Sequence, residues 1–100
     1  MWSIQLMKVI VKFFTSLREI VGKKEEEFEF SKGTTIKELL RHLSETYGQS
    51  FREYIYNERG RVKSHLQFLI NGKSITTLKG FETKLNDGDK IAIIPPVGGG

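Results

Sequence analysis

The sequence predicts an α+β domain, a mixed sheet of about five strands with one main helix packed on one face. Three observations carry that prediction. Apolar residues alternate with period two near the start, after residue 25 and again after residue 90. Only Ile36, Leu39, Leu40, Leu43 and Tyr47 hold helical spacing over a long run. Two strong turn signals, Asn71-Gly72 and Asn86-Asp87-Gly88-Asp89, punctuate the second half.

From Met7 to Phe14, Met7, Val9, Val11 and Phe13 point one way while Lys8, Ile10 and Lys12 point the other, as in a strand with one buried face. A short helix should follow. Ser16 and Glu19 have capping-box spacing, Leu17, Ile20 and Val21 give it an apolar side, and Gly22 is a stop. Glu25 to Phe30 alternates again, with Phe28 and Phe30 on one side. Ser31-Lys32-Gly33 is a turn, and Thr35 to Glu38 is a second capping box that opens the main helix, closed by Gly48. Ser50 to Gly60 carries Phe51, Tyr54 and Ile55 as a short further helix, and the basic stretch Gly60 to Ser64 is loop. Leu66 to Ile70 is a strand turning at Asn71-Gly72, Ile75 begins a short return, and Lys90 to Ile94 is the last strand. Pairing should fade at Pro95, which has no N–H. Paired early strands, a crossover helix and further strands are the layout of a β-grasp fold.

One hundred residues suit a single domain. It is expected to span 1–94, with 1–6 as an N-terminal extension and 95–100 as a flexible tail. The chain has no cysteine, which excludes disulfides and thiolate chemistry, and leaves His42 and His65 as the only imidazoles. His42 is expected on the polar side of the main helix and His65 at a strand edge, neither with a catalytic role. No metal site is expected. A net charge of +4 comes from sixteen Lys and Arg (against twelve Asp and Glu) that are scattered along the chain and never form a basic run of five, so the balance does not read as a nucleic-acid footprint. Without a long apolar run or a secretory signal pattern, the expectation is a cytoplasmic protein with no membrane partner.

The chain ends Pro95-Pro96-Val97-Gly98-Gly99-Gly100. Pro95 and Pro96 stiffen the base of this strap, and the glycines leave a tip narrow enough for a slot that no side chain would enter. Extended, the six residues reach roughly 20 Å. The carboxylate of Gly100 is therefore the first candidate for chemistry.

The stretch from Leu85 through Asn86-Asp87-Gly88-Asp89, the apolar strand and Pro95-Pro96-Val97 to Gly100 resembles the MoaD family, the small subunit of molybdopterin synthase. Lys8 to Phe14 and Leu69-Ile70-Asn71-Gly72-Lys73 add to the likeness. Gly98 stands where that family more often has alanine or another small residue, and Gln49 to Ser64 exceeds a minimal fold. The resemblance implies a ubiquitin-like sulfur carrier that is not itself an enzyme and binds no cofactor. A carboxylate with a pKa near about 3.5 is a poor electrophile at neutral pH and needs a leaving group. In the family a MoeB-like adenylyltransferase, of the ubiquitin-activating type, supplies it from ATP and Mg²⁺. A persulfide source, such as a sulfurtransferase, then gives a thiocarboxylate. A MoaE-like large subunit would receive Pro95, Pro96, Val97, Gly98 and Gly99 with Gly100 at the reacting end, and sulfur would pass to a pterin precursor. Ile10, Leu69, and Ile91 or Ile93 are the expected partner interface, on the sheet face opposite the helix. Three alternatives share the fold: a ThiS-like carrier of the thiamine pathway, a protein modifier joined to lysines through Gly100, and a binding module with an inert tail.

Overall fold

The computed structural model describes residues 5–95. Ten elements follow in order: β1 (Leu6–Phe13), α1 (Thr15–Val21), β2 (Glu25–Ser31), α2 (Ile36–Tyr47), α3 (Gln49–Ile55), β3 (Gln67–Ile70), β4 (Lys73–Ser74), 3-10 turns at Ile75–Thr77 and Gly80–Glu82, and β5 (Lys90–Ile94). The strands form one sheet in the order β2-β1-β5-β3-β4. β1 runs parallel to β5 and antiparallel to β2, while β3 is antiparallel to both β5 and β4. The sheet is mixed, as expected, and the arrangement is the β-grasp.

Odd-numbered residues of β1 and β5 and even-numbered residues of β3 face the core. Val9, Val11, Phe13, Ile91, Ile93, Phe68 and Ile70 are buried together with Leu17 of α1, Leu39, Leu40 and Leu43 of α2, and Phe51 and Ile55 of α3. The helices thus cover a single side of the sheet. The Thr35–Glu38 capping box is formed: the Thr35 hydroxyl accepts from the Glu38 N–H at 3.3 Å, and Glu38 Oε1 accepts from the Thr35 N–H at 3.0 Å. The segment around Lys84 lies against the start of this helix through Ile36 N–H to Thr83 O and Leu85 N–H to Thr34 O.

Three expectations about local structure need correction. The Ser16 capping box is not made, because β1 runs into α1 without a break: extended Phe14 is the N-cap and no side chain caps it. Pairing of Phe13 N–H with Lys24 O holds the end of β1 in the sheet and fixes where the helix starts. The return after Asn71-Gly72 is only Lys73–Ser74, and Ile75 begins a 3-10 turn whose Thr76 N–H is capped by the Ser74 hydroxyl. Residues 1–6 are not all extension. Leu6 pairs with Ser31 in β1, and Gln5 O accepts from Lys32 N–H.

Candidate functional site

The tail is carried by the central strand. At its start β5 is fastened by side chains from both turn signals. Asp89, 7% exposed, accepts from the Asn86 N–H at 2.7 Å through Oδ2 and from Asn71 Nδ2 at 2.9 Å through Oδ1. Asn71 Oδ1 in turn accepts from the Lys90 N–H at 2.9 Å. Asp87 Oδ1 takes the Lys8 N–H at 2.8 Å, and Gly88 N–H returns to Lys8 O. A buried carboxylate whose oxygens are both occupied is a fixed point. Asn71 (φ 51°) and Gly72 (φ 85°) both take the left-handed region that a two-residue hairpin turn requires.

At the other end β5 pairs Ile94 with Gln67, and the chain continues into half-buried Pro95 outside any strand. A residue without an N–H cannot extend that ladder. Pro96, Val97, Gly98, Gly99 and Gly100 lie outside the described residues, as do Met1 to Ile4.

The face opposite the helices separates the four residues expected at an interface into two pairs. Ile10 and Leu69 are there, each half-buried. Ile91 and Ile93 are not: both are 0% exposed and point into the core. Strand parity is the reason, since residues of β5 that share a side with exposed Lys90 are Ala92 and Ile94. Ala92 stands between Lys12 of β1 and Leu69 of β3 in the register. Ala92 and Leu69 are therefore side by side on the open face with Ile10 and Ile94 diagonal to them, and the apolar stripe these four make over the three central strands is flanked by Lys90, opposite Ile10, and Lys12, opposite Ala92. Beyond it, Glu29 and Glu25 on β2 lie opposite Lys8 and Lys12, complementary cross-strand charges that border the stripe. The parity of Lys90 was the signal in the sequence that identifies Ala92 and Ile94.

His42 is exposed on α2, though its ring packs edge-on against Phe28 and Phe30 at centroid distances of 5.7 and 5.2 Å. His65 is exposed just before β3. A polar pair that sequence spacing did not reveal joins β2 to the end of α2: the Tyr47 hydroxyl donates to Glu26 Oε1, and Lys23 Nζ stands 3.1 Å from the same carboxylate. The Tyr47 bond, with Lys23 beside it, holds the Glu26 carboxyl below the ordinary glutamate range. Burial, then the bond to Glu26, pushes Tyr47 well above the ordinary tyrosine value. Among the described residues no three His, Asp or Glu side chains gather as a metal site, and no helix is long and apolar enough to cross a membrane. What the geometry offers chemically is a rigid strand that delivers the following segment from the edge of an apolar stripe.

Comparison with known proteins agrees with this geometry. The sequence pattern of the ThiS family matches residues 11–100. Small archaeal modifier protein 3 of Haloferax volcanii is 36% identical over 94 residues, which are 94% of this chain and 100% of that protein. The molybdopterin synthase sulfur carrier subunit of Escherichia coli is 32% identical over 90 residues, 90% of this chain and 96% of its own. Among solved structures, the solution structure of small archaeal modifier protein 1 from Methanosarcina acetivorans superposes with a TM-score of 0.75 at 34% identity, covering 96% of this chain and 99% of that one.

Proposed function

Because the chain belongs to the ThiS family of ubiquitin-like sulfur carriers, we propose that Gly100 is its reacting residue and that its acceptor is the large subunit of a molybdopterin synthase. A MoeB-like adenylyltransferase, using ATP and Mg²⁺, joins the Gly100 carboxylate to AMP and releases pyrophosphate. A persulfide sulfur displaces AMP, and cleavage of the resulting S–S bond by a thiol leaves the thiocarboxylate. In the MoaE-like subunit that sulfur is the nucleophile toward the pterin precursor. The catalytic side chains belong to the partners; this chain supplies the carrier atom, the strap and the docking face.

The observation that carries the reading is the placement of the strap's root. β5 is the middle strand, its core side is closed by Ile91 and Ile93, and its other side carries Ala92 and Ile94 within the apolar stripe. A partner seated on Ile10, Leu69, Ala92 and Ile94 covers the strand from which the strap departs. Docking on the sheet face then brings the strap to the same partner. The glycines at 99 and 100 suit closed sites in which a Cβ would meet the walls.

A second reading shares every step up to the adenylate. The Haloferax volcanii relative is named a modifier, and attack by a lysine amine in place of sulfur would give an isopeptide bond. Intact mass of the protein from its own cells separates the two. Exchange of one carboxyl oxygen for sulfur supports sulfur delivery; attachment only to lysines of other proteins overturns it in favour of conjugation. Deletion of Gly100 should abolish adenylate formation by the cognate activating enzyme without altering thermal unfolding. Normal adenylation of the shortened chain would remove Gly100 from the mechanism.

A further inference from the structure

The helical side of the molecule holds a groove of about 920 Å³ that the carrier role does not use. One wall is α2; the other is α3 with the loop that follows it, drawn from the Gln49–Ser64 stretch beyond a minimal fold. Leu40 and half-buried Val62 line it with apolar surface, and Phe81 stands at the rim, 36% exposed. The Phe81 ring is not adrift, because it meets Phe68 edge-on at 5.4 Å.

The charges around this surface are unequal. Lys37 and Arg41 project from α2, and Arg52 and Arg61 from the opposite wall, against the carboxylates of Glu45 and Glu53. Glu53 is engaged by Gln49 Nε2 at 3.0 Å. Among the described residues the one ion pair is Lys23–Glu26, so all four groove cations lack a carboxylate partner there. Arg61 is held in place: Asn57 Oδ1 accepts from the N–H groups of Arg59 and Arg61, and the Asn57 N–H bonds Arg61 O at 2.8 Å. Free cations bracketing an apolar surface fit a ligand with separated negative charges and an apolar group between them. A nucleic-acid backbone fits less well, since its phosphate at every nucleotide would meet Glu45 and Glu53.

We propose that this groove binds an acidic, amphipathic peptide segment of a partner protein. Carboxylates of the segment pair with Lys37 and Arg41 on one side and with Arg52 and Arg61 on the other, and an apolar side chain between them packs on Leu40, Val62 and Phe81. The groove lies on the helices, away from the stripe formed by Ile10 and Leu69. A protein bound there does not compete with one seated on the sheet.

The test is an NMR titration of the isotope-labelled full chain with a synthetic peptide that alternates Asp and Glu with Leu and Phe. The same peptide with lysine in place of the acids, and a thymidine oligonucleotide, serve as comparisons. The expected result is saturable shifts at the amides of Leu40, Arg41, Arg61, Val62 and Phe81, weakened by added salt. Binding should fall by about tenfold or more in the Arg41→Glu, Arg61→Glu double variant and be unchanged in Ile10→Asp. If the double variant loses its dispersed spectrum, Arg52→Gln replaces it and should also weaken binding. No saturable shift, equal binding of the lysine peptide, tighter binding of the oligonucleotide, or shifts confined to the sheet face would each overturn the proposal.

Discussion

Ile93 and Ile94 are neighbours with the same side chain, yet the sheet gives them opposite work. Ile93 is fully buried between Phe13 and Phe68 under the helices, whereas Ile94 is half-buried on the open face with Ile10, Ala92 and Leu69. The same division runs through β2, where Glu26 turns toward α2 and meets Tyr47 while Glu25 and Glu27 remain exposed. Parity in a strand, more than residue type, decides whether a side chain holds the domain together or meets a partner.

The largest effect should come from breaking the covered face. Ile93→Ala removes buried volume from the core and should cost about 2–5 kcal/mol in urea unfolding, while Ile94→Ala should cost no more than about 1 kcal/mol. Equal losses would mean that the open face is structural too. Next in size is the reverse experiment. Leu69→Asp should leave the unfolding midpoint near that of the parent chain and weaken the complex proposed with the large synthase subunit by about tenfold or more, since a desolvated charge between Ala92 and Ser74 has no cation directly opposite it. A complex of undiminished affinity would remove the stripe from the interface.

The smallest effect concerns the polar pair of Glu26 and Tyr47. Glu26 has a folded-state pKa below its unfolded value, so its contribution is present above the ordinary glutamate range and is lost as pH falls through that range toward the folded value. Tyr47, raised in the folded state, contributes below the ordinary tyrosine value and loses its contribution as pH rises beyond it. Tyr47→Phe should therefore flatten both the acid and the alkaline limbs of a stability–pH curve. An acid limb in Tyr47→Phe as steep as that of the parent chain would refute the role of the Tyr47–Glu26 bond.

Much of this was legible in the chain. Thr35 and Glu38 announced α2 because a capping box is local chemistry, complete within four residues. Asn71-Gly72 and Asn86-Asp87-Gly88-Asp89 announced turns for the same reason, but not that Asn71 and Asp89 would bond to each other, which depends on β3 lying beside β5. Ser16 misled because its capping pattern competed with the pairing of Phe13 to Lys24, and the long-range contact prevailed. Ile91 and Ile93 were offered to a partner because both sides of the last strand are apolar; only Lys90 marks which is wet. The groove left no local mark, since it depends on how α2, α3 and the loop after α3 pack together and on Phe81, which lies beyond β3 in the sequence.

The central place of β5 also governs how the domain comes into being. β1 and β3 do not pair with each other; each pairs with β5. Without residues 90 to 94 the sheet would divide into two pairs, β2 with β1 and β3 with β4, each with an edge lacking its partner. The pairing of Ile10 with Lys90 closes a loop of nearly the whole chain, the slow kind of contact. A chain interrupted before β5 therefore has neither a finished core nor the segment that follows this strand, so that closure of the sheet and synthesis of residues 95 to 100 are bound to one another in time.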